Sequence, residues 1–163
     1  MRERSGGHST PELLVAAALL ALLALPALQV AAGSVAAQRV ESVSRRVALG
    51  LELGRAAAQR SGQPCALQLD GEGWREPESG SLPGCPGVAL PLGGEGSDVG
   101  VRLRHNLPRA VRFASNGLVL DGGTVVVAAP GTALERCVVM SLPLGVVRMG
   151  RWQEEECRPD PSL

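Results

Sequence analysis

Between Leu13 and Leu28 the chain reads LLVAAALLALLALPAL, and after Glu12 no charged residue occurs until Arg39. A helix that is apolar on every side needs an apolar surround. The run continues more weakly to Ala37, which covers the roughly 20 residues that cross a bilayer's hydrocarbon core. In a chain of 163 residues this leaves room for one small domain beyond the run. Glu12 stands at the mouth of the segment, and a carboxylate in lipid costs about 2.5–3.5 kcal/mol unless it is paired. Residues 1–7, MRERSGG, are a short polar leader. A secretory signal peptide cut within ALPALQVAAG is an alternative reading, but it gives Glu12 no purpose.

Past the run the pattern changes without a breaker. Val40, Val43, Val47 and Leu51 recur at steps of three and four, which places them on one face of a helix. Arg39, Glu41, Arg45, Arg46 and Glu52 fall largely off that face. Gly62 is a natural stop. The spacing therefore predicts one helix from Pro11 to Ser61, apolar all round in its first half and amphipathic in its second. Pro26 lies inside it and is expected to kink it, since proline removes a backbone donor and crowds the preceding turn. Gly50 and Gly54 weaken the second half, unless they let a sheet approach closely.

From Gln63 the period shortens to that of strands. PCALQLD, GEGWRE, VGVRLR and AVRFASNG read as strands and turns, while residues 77–98 read as a Pro/Gly/Ser-rich loop. GLVLDGGTVVVAA suggests a hairpin around Asp121–Gly123. ERCVVMSLPLGVVRMGRW suggests a second, with Pro143–Gly145 in its turn. EEECRPDPSL reads as a polar tail, tied down only if Cys157 is bonded. Phe113, Trp74 and Trp152 are the only aromatic residues. The core is therefore built from Val, Leu and Ala, and an aromatic platform for stacking bases is unavailable.

Charge and chemistry-bearing residues exclude several functions. Acids and bases balance at 16 each, so net charge indicates no polyanionic partner. Every one of the basic residues is arginine. His8 and His105 are the only histidines and no CxxC pair occurs, so a zinc site has no support. His105, in RHNLP, reads as a solvated loop residue. Ser115 and Ser141 lack a nucleophile-elbow setting, Asp98 and Asp121 form no acid pair, and PLGGEGSDVG has no phosphate-loop spacing. No catalytic residue, metal or cofactor is assigned. Cys65, Cys85, Cys137 and Cys157 follow an export-like segment, which suggests two disulfides in an oxidising compartment. Pairing in sequence order, Cys65–Cys85 and Cys137–Cys157, encloses loops of equal length and is favoured among the three possible pairings. Each bridge would stabilise by roughly 3 kcal/mol. Buried free thiols are the alternative.

The order of these pieces resembles a type IV prepilin or type II secretion pseudopilin. Gly7 matches the residue before the family's leader cut, His8 would become the new N-terminus, and Glu12 falls at the fifth mature position, where the family carries its glutamate. Leu13, Leu14 and Val15 continue the pattern. His8 departs from the usual Phe, and Pro11 from the usual apolar residue, which bears on cleavage and on methylation of the new terminus. LGRAAAQRSGQPCALQLDGEGW, AVRFASNG and VVMSLPLGVVRMG are similar to the domain of the FimT and GspH group of minor pilins and pseudopilins. In that family the glutamate is thought to meet the N-terminal amine of a neighbouring subunit as helices pack. Some FimT-like pilins bind DNA through a Gly-Arg-x-Arg element. Here the corresponding stretch is Gly145-Val-Val-Arg148-Met-Gly-Arg151, with Arg102, Arg104, Arg109 and Arg112 as candidates to extend a basic face. Glu154, Glu155 and Glu156 follow and would oppose a polyanion. A solvated strand edge defended by charge is the plainer reading of the two arginines.

The resulting expectation is an α+β protein: a long N-terminal helix, transmembrane then amphipathic, on an antiparallel β-rich domain. The divisions are a cleaved leader at 1–7, a transmembrane helix at 8–37, an amphipathic helix at 38–62 and a β-rich domain at 63–163. Val40, Val43, Val47 and Leu51 should face Val111, Phe113, Val126 and Val139. The resemblance implies a non-catalytic minor pilin or pseudopilin with one inner-membrane pass and its C-terminal domain outside the cytoplasm. Its implied partners are other major and minor subunits, the prepilin peptidase and an inner-membrane assembly platform. Two alternatives remain: a DNA-binding minor pilin of natural transformation using Arg148 and Arg151, and an exported β-rich protein unrelated to pili.

Overall fold

A computed structural model describes residues 10–93 and 100–160, with residues 21–32 described for their helical backbone only. Helix α1 runs Thr10–Ser61, unbroken through Pro26. Pro11 sits in its first turn, where a missing N–H costs nothing. Nine strands follow among the described residues: β1 Cys65–Leu69, β2 Gly73–Arg75, β3 Leu90–Pro91, β4 Arg102–His105, β5 Val111–Phe113, β6 Gly123–Ala128, β7 Glu135–Ser141, β8 Val146–Gln153 and β9 Glu156–Pro159. They make two antiparallel sheets, ordered β3-β2-β1-β5 and β4-β6-β7-β8-β9. The protein is thus α+β, as its sequence pattern implies. Among the described residues no helix is long and apolar enough to cross a membrane. Much of the expected 8–37 span lies outside the described residues, including His8 and the side chains of residues 21–32.

The apolar stripe on α1 does what its spacing requires. Val40, Val43, Val47 and Leu51 are fully buried, and so are Val111 and Phe113 of the smaller sheet. Burial of each such side chain stabilises by about 1.5–3 kcal/mol relative to exposure. In the larger sheet the expected partners are shifted by one residue. Val125, Val127, Val138 and Met140 belong to the core shared with α1, whereas Val126 and Val139 do not. Side chains alternate across a sheet, so a one-residue error in parity exchanges the two faces. The run VVV in β6 and VVM in β7 carries no alternation from which parity could be read.

The glycines of α1 explain how one helix meets both a tryptophan and a sheet. A Cβ at Gly50 would lie 2.0 Å from Trp74 Cδ1, and one at Gly54 would lie 2.7 Å from both Leu67 and Phe113. Trp74 is buried across this notch, and its Nε1 donates a hydrogen bond of 3.1 Å to the Val47 carbonyl oxygen. Buried Ser44 is satisfied within the helix, its hydroxyl donating to the Val40 carbonyl at 2.7 Å.

Three further expectations are corrected. The hairpin around Asp121–Gly123 does not form: β6 pairs with β4 and β7, and Val119 makes only an isolated bridge to Phe113. Asp121 is instead engaged by Arg112. His105 is the last residue of β4, not a loop residue. The tail forms β9, which makes β8 an inner strand and not an edge. The hairpin with Pro143–Gly145 in its turn forms as β7–β8. Within the Pro/Gly/Ser-rich segment, Leu90–Pro91 pairs with β2, and Arg46 donates to the Pro91 and Gly93 carbonyls at 3.0 and 3.1 Å.

Gly50→Ala tests the notch. Helix propensity alone favours alanine by about 1 kcal/mol, but overpacking of this kind costs about 1–3 kcal/mol. The variant should be destabilised by on the order of 2 kcal/mol in urea unfolding of the full chain, because the ring and backbone have nowhere to retreat. A stabilised variant would show that Trp74 does not rest on Gly50.

Candidate assembly surfaces

The residues singled out in the sequence fall into separate regions. Gly7 and His8 lie outside the described residues. Glu12 is exposed in the first turn of α1, followed by exposed Leu13, Leu14, Val15, Leu19 and Leu20. An acid in the first turn also complements the helix dipole, an effect worth about 0.3–1 kcal/mol. Cys65 pairs with Cys85 and Cys137 with Cys157. The first bridge fastens the 77–93 segment to β1 and the second fastens β9 across β8. Gly150 lies beneath this crossing: a Cβ there would sit 2.3 Å from the Arg158 carbonyl oxygen and 3.2 Å from Cys157 Sγ.

Arg148 and Arg151 do not share a face. They are three residues apart on β8, so their side chains project to opposite sides. Arg148 is registered with Val139 and Arg151 with Arg136. Arg151 Nη2 lies 3.3 Å from Asp160 Oδ2. Of the other arginines considered for a basic face, Arg104 pairs with Glu135 at 3.1 Å and Arg112 with Asp121 at 2.8 Å.

One cluster escaped the sequence reading. Arg136 is buried, its side chain only 8% exposed. Its Nε meets Glu41 Oε2 at 2.7 Å and its Nη1 meets Asp160 Oδ2 at 2.5 Å. Glu41 also accepts from Arg45 Nε at 3.0 Å. The cluster thus joins α1, β7 and the segment after β9 in one charge-paired clamp. Its members are separated by 95 and 24 residues in the chain. The only sequence signal was an arginine inside an otherwise apolar strand.

At the far end of the domain, Arg112 and Asp121 form a forked pair. Nε and Nη2 donate to the two carboxylate oxygens at 2.8 and 2.9 Å, and the Arg112 backbone N–H adds a bond of 3.0 Å. The side-chain bond from Arg112 holds the Asp121 carboxyl below its ordinary value, partly offset by burial. The same bond raises the Arg112 guanidinium.

Among the described residues no group of three or more His, Cys, Asp or Glu side chains is placed to hold a metal ion. The helix is thus exposed and apolar at its described start, then notched and clamped onto two antiparallel sheets. The family model for type II transport protein GspH matches residues 43–143. The chain belongs to that family, the pseudopilins of type II secretion, which are structural and non-catalytic components. The match begins inside the buried stripe of α1 and ends in the β7–β8 turn, so Glu12, β8 and β9 lie beyond it. Neither the curated proteins nor the solved structures gave a match.

The clamp and the pair make separate predictions. Arg136→Ala should cost about 3 kcal/mol in urea unfolding, since it strips a buried cation from two carboxylates. Glu41→Gln keeps an acceptor and should cost about 1–2 kcal/mol. Equal, negligible losses would show that the clamp contributes nothing. For Asp121 the folded pKa is depressed, so its contribution is present above the unfolded value and lost as pH falls through the folded one. Asp121→Asn should therefore be less stable than the parent at neutral pH. The gap should close as acidification passes below the ordinary carboxylate value of 3.8, and a gap independent of pH would remove Asp121 from the account.

Proposed function

We propose that the chain is a minor pseudopilin made as a precursor and cut after Gly7 by a membrane prepilin peptidase. His8 becomes the mature N-terminus. Residues 8–37 anchor the subunit in the inner membrane, and the domain at 63–163 stands outside the cytoplasm. The subunit then joins major and minor pseudopilins on the inner-membrane assembly platform through helix packing. The observation that supports this most is the unbroken α1, which carries Glu12 and the exposed apolar residues into the same helix as the matched segment from Val43 onward. In the assembled state Glu12 meets the amine of a neighbour's N-terminus. The pair neutralises a carboxylate whose burial in lipid would otherwise cost a few kcal/mol. The DNA-binding alternative gains no support from the arrangement of Arg148 and Arg151 on opposite faces.

N-terminal sequencing of the mature protein tests the processing. A start at His8 is expected, and a start near Ala31 or Gly33 would overturn the reading in favour of an ordinary exported protein. Glu12→Ala should be cleaved at the same bond and accumulate to the same level. Its recovery in sheared pseudopili should fall about tenfold or more, the factor set by each 1.4 kcal/mol of lost pairing. Undiminished recovery would remove the role given to Glu12.

A further inference from the structure

We propose that an apolar knob beside the C-terminal end of α1 docks a different pseudopilin, and that Arg148 and Arg55 select a partner surface on which a carboxylate stands among aliphatic side chains. The proposal rests on the reading of the chain as an assembled minor subunit.

The knob is built where the last turns of α1, the 118–121 segment and the β7–β8 turn meet. Leu142 and Leu144 are 55% and 63% exposed, and Leu118, Leu120 and Val146 are also open to solvent. Single exposed leucines are ordinary, but a cluster of them marks a contact surface. Backbone and side-chain bonds tie the cluster together. The Val119 N–H donates to the Pro143 carbonyl at 3.0 Å, and the Leu120 N–H to the Arg112 carbonyl at 3.0 Å. A Cβ at Gly122 would lie 3.1 Å from Leu142 Cγ, and one at Gly145 would overlap Val119. The fork from Arg112 to Asp121 closes the same segment. Gln59 of α1 donates to the Asn116 carbonyl at 3.3 Å, which fixes the knob at that end of the helix. A surface ordered before it binds loses little freedom on docking.

The charge left over around the knob is basic. Arg55 Cδ lies 3.8 Å from the Cβ position at Gly145. Arg148 is exposed and follows Val146 by two residues on β8, so it shares that face. Neither arginine makes an ion pair among the described residues. Arg60 stands in the last turn of α1. Asp121 is already engaged by Arg112, and Glu52 lies one turn before Arg55 on α1. The unpaired arginines therefore suit an anionic partner.

Size, place and copy number select the occupant. Five partly exposed side chains fall well short of the roughly 800 Å² per partner that a stable free complex buries. The contact thus serves chains already held together by their helices, at roughly millimolar effective concentration. A lipid surface also offers anionic and apolar groups, but the knob lies at the end of α1 opposite the segment assigned to the membrane. A minor subunit is outnumbered by other pseudopilins, so the neighbour at this end is a different chain. Apolar packing alone accepts many surfaces, whereas unpaired arginines favour a carboxylate and penalise a basic neighbour.

The test uses the full chain in cell membranes with its secretion partners, carrying a photo-crosslinking amino acid at Leu144 or, separately, at Leu19, with each adduct identified by mass spectrometry. We expect Leu144 to join a different pseudopilin of the same system, within a segment that carries Asp or Glu beside aliphatic residues. Arg148→Glu should lower that yield about fivefold. Arg148→Lys should retain most of it, and changing the partner's carboxylate to arginine should restore it in the Arg148→Glu chain. The Leu19 adducts should be unaffected by these changes. If Leu19 joins a pseudopilin while Leu144 joins a second copy, a lipid, a protein outside the assembly or nothing, the docking surface is wrong and the assembly reading stands. A Leu144 yield indifferent to the charge at 148, or an adduct segment without a carboxylate, also overturns the proposal. If neither position joins a pseudopilin, the assembly reading itself fails.

Discussion

The fold depends on the closeness with which α1 meets the two sheets at Gly50 and Gly54. Two missing side chains let an indole and a phenyl ring lie against the helix backbone. Trp74 then fills the space between α1 and the smaller sheet and gives its one polar hydrogen to Val47. A chain with so few aromatic residues has little else with which to bridge that distance, because Val and Ala are short. Each glycine costs the helix about 1 kcal/mol of intrinsic propensity. Burying an indole or phenyl ring, with its 150–250 Å² of surface, more than offsets that.

Packing alone does not fix where the chain ends. The larger sheet is completed by β9, a four-residue strand that a polar sequence would not form unaided. Two devices hold it. The Cys137–Cys157 bridge joins it to β7 across Gly150, and Asp160 beyond it joins Arg136, which reaches Glu41 on α1. Removing either carboxylate would leave a mostly buried guanidinium short of charge, the costly case for buried pairs. The clamp therefore contributes more to order at the end of the chain than to net stability, since a buried ion pair often does no better than apolar packing.

How far the sequence could be read follows from how local each signal is. The helix stripe at Val40, Val43, Val47 and Leu51, the stop at Gly62 and the turn at Pro143–Gly145 depend on neighbours a few residues away, and all were legible. Equal spacing also favoured the cysteine pairing that the structure has. The parity of β6 and β7 was not legible, because three successive valines present the same chemistry to both faces. The Asp121–Gly123 turn misled for a related reason. Its composition suits a hairpin, but Asp121 finds Arg112 nine residues back, and that fork takes the segment away from β6. The Arg136 clamp joins residues from three distant parts of the chain, and no window along the sequence contains it. In the sequence the tail read only as polar and dependent on a bond at Cys157, because its strand is held by a bridge and an ion pair and not by propensity.

Glu12 has two explanations of different size, and their magnitudes separate them. Its place in the first turn of α1 lets it complement the helix dipole for about 0.3–1 kcal/mol. For a helix whose first turn meets water, that accounts for the residue completely. For a helix whose first turn lies in lipid, as proposed here, the carboxylate costs up to the roughly 2.5–3.5 kcal/mol of a charge at the bilayer centre, which exceeds the dipole term. In the assembly proposed here a neighbour's N-terminal amine offsets part of that cost, and it is a group that arrives only when subunits are in register. A pairing worth about 2 kcal/mol corresponds to more than a tenfold preference for the paired arrangement over a mismatched one. On that proposal the carboxylate acts less as glue than as a test of position: apolar packing is non-directional, and the charge pair favours the register that satisfies it.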